Sequence, residues 1–168
     1  MAGVGPAVAL PDRATFERDG FVVVRSMLCA EEVAALRAEV DASDADLKEG
    51  SVLREDGTGG RSRLRVWNEP PPGAFGTLSR LRRMVSAASH LLGGQEVYHF
   101  HSKLSMKEAR VGGEWVWHQD YGYWYNDGCL APELVSAFVA LDACTEANGC
   151  ISLLQGSHGA GRLEHVQV

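Results

Sequence analysis

Trp115-Val116-Trp117-His118-Gln119-Asp120-Tyr121-Gly122-Tyr123-Trp124-Tyr125 decides how the rest of the chain is read. At its centre His118 and Asp120 stand two residues apart. On a strand, positions i and i+2 point to one face, so an imidazole and a carboxylate at this spacing converge on one point. That donor pair suits a divalent first-row metal, Fe(II) in particular where a second His completes a facial triad with open positions. The flanking aromatics would give such a site a dry, rigid wall. His-x-Asp alone is a common spacing, equally consistent with a hydrogen-bonded pair in a core, so the surrounding chain has to discriminate.

Upstream, residues 96–106 alternate with a period of two and predict a strand. Tyr98, Phe100, Ser102 and Leu104 lie on one face, and His99, His101, Lys103 and Ser105 on the other. His99 and His101 share a face but read as strand residues, His101 nearer the pocket. Residues 111–114 make the turn into the motif, itself read as a strand. Downstream, a loop at 126–128 precedes apolar strands at 134–141 and 150–154, with Glu146-Ala147-Asn148-Gly149 as the turn between them.

Before residue 96 the period is helical. Asp12 as N-cap and Gly20 as stop frame a short helix. Phe21-Val22-Val23-Val24 predicts a short buried strand. Val33, Leu36 and Val40 recur on one face of a helix over 30–42, with Glu31 and Glu32 in the first turn where the dipole favours them. Leu78, Leu81, Val85, Ala88 and Leu92 predict another helix, closed by Gly93-Gly94. Between these, residues 49–60 read as a polar surface loop. Arg61, Arg63 and Arg65 alternate on a strand whose basic face is solvated surface or the flank of an anionic group. Residues 69–73 form a rigid linker, and residues 1–10 a loose tail. Helices first and short antiparallel strands after make the class α+β, with the β half a barrel or sandwich.

The composition narrows the function. The chain of 168 residues is one domain's length. Its formal charge of −6 carries no basic patch for nucleic acid, so the aromatic run reads as pocket wall rather than a base-stacking platform. Cys29, Cys129, Cys144 and Cys150 lack Cys-x-x-Cys spacing and read as reduced, buried thiols. No signal peptide and no apolar run of membrane-spanning length is seen, and the default location is cytoplasmic.

Three stretches, in order along the chain, resemble the phytanoyl-CoA dioxygenase family of Fe(II)- and 2-oxoglutarate-dependent oxygenases. They are Phe16-Glu17-Arg18-Asp19-Gly20-Phe21 with the following helix to Val40; His101-Ser102-Lys103-Leu104-Ser105-Met106-Lys107 with Trp117-His118-Gln119-Asp120; and Asn148-Gly149-Cys150-Ile151 through Gly156-Ser157-His158. The resemblance implies N-terminal helices (residues 1–95) packed on a double-stranded β-helix, or jelly roll, whose first part is residues 96–168. It implies His118 and Asp120 as two iron ligands, with Fe(II), 2-oxoglutarate and O₂ as the reacting set. Oxidative decarboxylation to succinate and CO₂ would then be coupled to hydroxylation of a small-molecule substrate. A carboxylate at position 120 points to hydroxylation rather than halogenation. Comparison with the family's ectoine-hydroxylase branch implies that Trp124 lines the pocket and that Lys103 and Ser105 face 2-oxoglutarate or substrate.

The family's distal His ligand and its 2-oxoglutarate-binding Arg find no match before Val168, where only His158 and His165 follow Asp120. The chain therefore reads as the N-terminal half to two-thirds of the pattern. Two other functions stay open on the sequence: an inactive binding or regulatory module, and a cupin-like site using His118 and Asp120 with His158 or His101. A half jelly roll predicts unpaired strand edges, exposed apolar faces and self-association.

Overall fold

Asp12 starts the first helix, α1 (Arg13–Asp19), by accepting hydrogen bonds from the N–H groups of Ala14 and Thr15. Gly20 ends it in the left-handed conformation at φ 83°. Both are the residues expected from the sequence, since cap chemistry is local. The computed structural model describes residues 9–42, 49–56 and 59–165. The tail expected over 1–10 and the loop expected over 49–60 fall partly outside them.

The second helix, α2 (Ala30–Ala42), has the expected bounds. The Glu32 carboxylate accepts from Cys29 N–H at 2.9 Å and closes its first turn. Arg83 ties this end to a later helix, donating to Met27 O at 2.7 Å and pairing with Glu32. Leu36 is buried at the centre of α2. The single helix expected around 78–92 is instead two, α3 (Gly73–Arg80) and α4 (Arg82–Leu91). The joint is Leu81, whose ψ of 127° is extended. The Ala74 N–H in the first turn of α3 is held by the Glu39 carboxylate of α2.

The described sheet has three antiparallel strands in the order β1-β2-β3: β1 (Val52–Glu55), β2 (Arg61–Trp67) and β3 (Ser102–Lys107). β1 lies within the stretch expected to be loop. Opposed pairs share a face, so the register has a functional consequence. Val66 opposes Lys103 and Leu64 opposes Ser105, whereas Arg65 opposes Leu104 and Arg63 opposes Met106. Lys103 and Ser105 therefore lie on one face and the arginine row on the other. The arginines find partners there: Arg61 on Glu55 at 2.8 Å, Arg63 on Glu108 at 3.5 Å, Arg65 against the Trp67 ring.

Several expected strands are absent among the described residues. Residues 21–24, 134–141 and 150–154 form no ladder, and the motif stretch 115–119 is likewise unpaired. Each has the right residue types, but a strand is completed by hydrogen bonds to a neighbour. The C-terminal segment is nonetheless anchored. Gly156 N–H donates to Asp19 O at 2.8 Å, Gln155 to the Asp19 carboxylate at 2.9 Å, and His158 Nε2–H to Glu17 O at 2.9 Å.

What results is an α+β assembly with little interior. Among the described residues Leu36, Leu104, Pro11 and Pro71 are the buried apolar side chains, and Asp19 and Ser62 the buried polar ones. No described helix is long and apolar enough to cross a membrane. No disulfide joins the cysteines, of which Cys144 is exposed and the other three half-buried rather than buried as expected.

Candidate functional site

His118 and Asp120 do meet, though not as neighbours on one strand face. Gln119, at φ −104° and ψ 130°, is the last extended residue, and Asp120 opens a five-residue helix, α5 (Asp120–Trp124). An acidic residue is favoured in a first helical turn, where N–H groups lack intrahelical partners, and this overrides the strand reading of the stretch. The turn swings the Asp120 carboxylate back toward the imidazole: His118 Nε2 lies 3.5 Å from Asp120 Oδ1.

The outer atoms of both groups are fixed. His118 Nδ1–H donates to Val116 O at 2.7 Å, which fixes Nδ1 as a donor and turns Nε2 toward the carboxylate, where it donates when the ring is protonated and offers a lone pair when it is neutral. Ser136 Oγ–H donates to Asp120 Oδ2 at 3.2 Å, leaving Oδ1 on the inner side. Backing of outer atoms with inner atoms converging is how metal-ligating histidines and carboxylates are oriented, so the pair fits two positions of a metal site. No third His, Cys, Asp or Glu completes a cluster among the described residues.

Lys103 reaches the pair from β3. Its ammonium lies 3.7 Å from Asp120 Oδ1 and 4.4 Å from the centre of the Trp124 ring, so one cation contacts both a carboxylate and an indole face. Trp124 is in turn flanked by His101 at 4.3 Å and Phe100 at 6.0 Å between ring centroids. Ser105 lies two residues beyond Lys103 on the same face of β3 and is exposed.

These contacts shape the protonation of the site. The hydrogen bond with His118, aided by Lys103 and Ser136, holds the Asp120 carboxyl down at about 2 against its burial. The same contact raises His118 above the ordinary imidazole value. Burial lowers His101, with the Lys103 charge adding to the effect.

Of the residues singled out in the sequence, His118, Asp120, Lys103 and Trp124 are thus brought into one cluster, with His101 at its edge. His158 is not, because its ring is committed to the backbone of α1. His99 bonds Ser102 Oγ at 2.8 Å instead. The aromatic wall is narrower than the motif implied. Trp124 and Tyr123 face the cluster, but Trp117 is 71 % exposed and Val116 67 %. Ser136 and Gln119 were given no role in the sequence reading, and His165 was considered there only as a distal ligand and set aside. A lone hydroxyl in the apolar run 134–141 was the one signal for Ser136.

Comparison with known proteins agrees with the order of these motifs. A family model described as phytanoyl-CoA dioxygenase (PhyH) matches residues 16–167. The chain is 32 % identical over 161 residues to an L-proline trans-4-hydroxylase of Streptomyces griseoviridis, an alignment covering 94 % of this chain and 58 % of that enzyme. It is 34 % identical over 148 residues to ectoine dioxygenases of Bordetella parapertussis and Nocardia farcinica, covering 86 % of this chain and 47 % and 49 % of those proteins. The chain spans about half the length of the curated relatives it matches. No solved structure matches it with significance.

Proposed function

The chain belongs to the phytanoyl-CoA dioxygenase family, and we propose that it carries the first part of the active site of an Fe(II)- and 2-oxoglutarate-dependent hydroxylase. The observation that carries this reading is the backed pair, His118 Nε2 and Asp120 Oδ1 at 3.5 Å with both outer atoms hydrogen-bonded. His118 and Asp120 would hold the iron, which when bound with 2-oxoglutarate supplies O₂ activation coupled to loss of CO₂.

The chain's own groups have separable tasks. The Val116 carbonyl and Ser136 hydroxyl keep both donors aimed. Lys103 would supply a cation to a carboxylate of the co-substrate, with Ser105 beside it as a hydroxyl donor. Trp124 with Phe100 and His101 gives one apolar wall that excludes water and orients a small substrate. The relatives, an L-proline trans-4-hydroxylase and ectoine dioxygenases, make small polar or carboxylated metabolites the first substrates to try. The partner is a small molecule rather than nucleic acid or membrane.

A second reading, a binding module without turnover, is favoured by the absence of a third donor among the described residues. Anaerobic titration with Fe(II) and 2-oxoglutarate separates the two. A weak visible charge-transfer band that vanishes in His118→Ala is expected for the hydroxylase. No band in the wild-type chain would overturn a working iron site here and favour the module.

A further inference from the structure

The motif is gripped from behind by the segment 161–165. Gln119 is the centre of the grip. Its backbone N–H donates to His165 Nε2 at 2.9 Å. Its side-chain amide donates to Gly161 O at 2.9 Å and accepts from Leu163 N–H at 2.8 Å. A backbone N–H can only donate, so His165 Nε2 must be the acceptor. The proton is then on Nδ1, which donates to Leu163 O at 2.8 Å. Both imidazole nitrogens are therefore committed, and neither is left for a metal.

The His165 ring also leans edge-on against Tyr123 at 4.8 Å, and Tyr123 meets the His118 ring at 5.7 Å, likewise edge-to-face. Gly122 leaves room for this stack. A Cβ there would overlap His165 Nδ1 and come within 2.7 Å of Leu163 O. Three hydrogen bonds, one ring chain and one position without a side chain thus join 161–165 to the two residues on which convergence of His118 and Asp120 depends: Gln119, the hinge between them, and Tyr123, the ring against His118.

We propose that the segment 161–165 is a latch setting the geometry of the His118–Asp120 pair, and that His165 is a positioning residue, not a metal donor. The inference rests on the reading of that pair as metal ligands, but the latch itself is measurable without metal. The test compares wild type with His165→Ala, His165→Gln and Gly122→Ala. Gln presents an amide oxygen close to where His165 offers Nε2, so it can restore the bond to Gln119 N–H.

In the metal-free protein, NMR should find the Gln119 amide slow to exchange and ring cross-peaks between His118 and Tyr123. Both should be present in wild type and His165→Gln and lost in His165→Ala and Gly122→Ala. Fe(II) affinity should fall roughly 10- to 100-fold with loss of the latch, the range for removing an outer-shell partner, and recover in His165→Gln. Unchanged His118–Tyr123 cross-peaks in His165→Ala would overturn the proposal, as would unchanged Fe(II) affinity. If wild type takes up no Fe(II) while the cross-peaks behave as described, the latch stands and the iron reading falls. Should His165→Ala fail to fold, Gln119→Glu carries the same comparison, because it keeps the acceptor for Leu163 N–H and removes the donor to Gly161 O.

Discussion

Asp120 is the residue on which most of the site's electrostatics converge, and it gives the pH dependence a definite sign. Its carboxyl is held at about 2 in the folded chain, below the unfolded value of about 3.9. The stability it contributes is therefore fully present above pH ~4 and lost as pH falls toward ~2. Its side chain is 32 % exposed, so after screening the contribution is on the order of 1–2 kcal/mol. His118 runs the other way: raised in the fold, it contributes below pH ~6.5 and that contribution is lost as pH rises through the folded value. The metal-free chain should thus be most stable between about pH 4 and 6.5, and Asp120→Asn should flatten both limbs in a series of urea melts. An Asn variant with unaltered limbs would refute the assignment. Lys103 makes a second prediction. Lys103→Met removes a cation facing Asp120 and should weaken 2-oxoglutarate binding about tenfold or more, roughly 1.4 kcal/mol. Fe(II) affinity should be unchanged or tighter, both read by calorimetry; loss of Fe(II) affinity instead would make Lys103 a structural strut.

At the scale of elements, α1 and its caps offer the cleanest test because three parts of the chain meet there. Gly20 has φ 83°, and a Cβ at that position would lie 2.5 Å from His158 Nδ1. Gly20→Ala should therefore cost more than the roughly 1 kcal/mol of an ordinary left-handed substitution, and His158→Ala should relieve part of the excess. Additive losses in a thermal-melt double-mutant cycle would sink that coupling. Asp12→Ala should cost about 1 kcal/mol through its two backbone acceptances alone. The same elements explain what was legible beforehand. Asp12, Gly20 and the 30–42 helix were readable because helix hydrogen bonds and caps lie within four residues of their partners. The α3–α4 break at Leu81 was hidden because its apolar residues keep the helical period across the joint. The strand readings at 21–24, 134–141 and 150–154 did not hold, since residue type without a partner edge makes no ladder. His118 and Asp120 were found by spacing, yet it is a helix start rather than a strand face that brings them together. His165 was considered only as a distal ligand, and its tie to Gln119 could not be read because that contact spans 46 residues.

Across the whole molecule the ratio of inside to outside is unusual. Leu36, Leu104, Pro11 and Pro71 are its buried apolar side chains among the described residues, while Tyr98, Leu130, Trp117, Val116 and Leu154 are each about two-thirds exposed or more. Scattered apolar exposure is ordinary, but contiguous exposure is not, and Val116 and Trp117 are adjacent in the motif. The sheet adds two unpaired outer edges, on β1 and β3, among the described residues. Charge tempers those edges, with Arg54 and Glu55 on β1 and Lys103 and Lys107 on β3, so the apolar surface near 115–117 is the stronger driver. Expressed as this chain, the protein should self-associate with rising concentration in sedimentation velocity and bind a hydrophobic dye. Val116→Lys with Trp117→Lys should shift it toward monomer, because both side chains project into solvent and neither contributes through its own side chain to the His118–Asp120 pair. Raised salt should strengthen association if apolar burial drives it and weaken it if the charged edges do. A dye-negative monomer at every concentration would mean that the exposed face is satisfied in solution by a rearrangement of this chain, and the association prediction would fall with it.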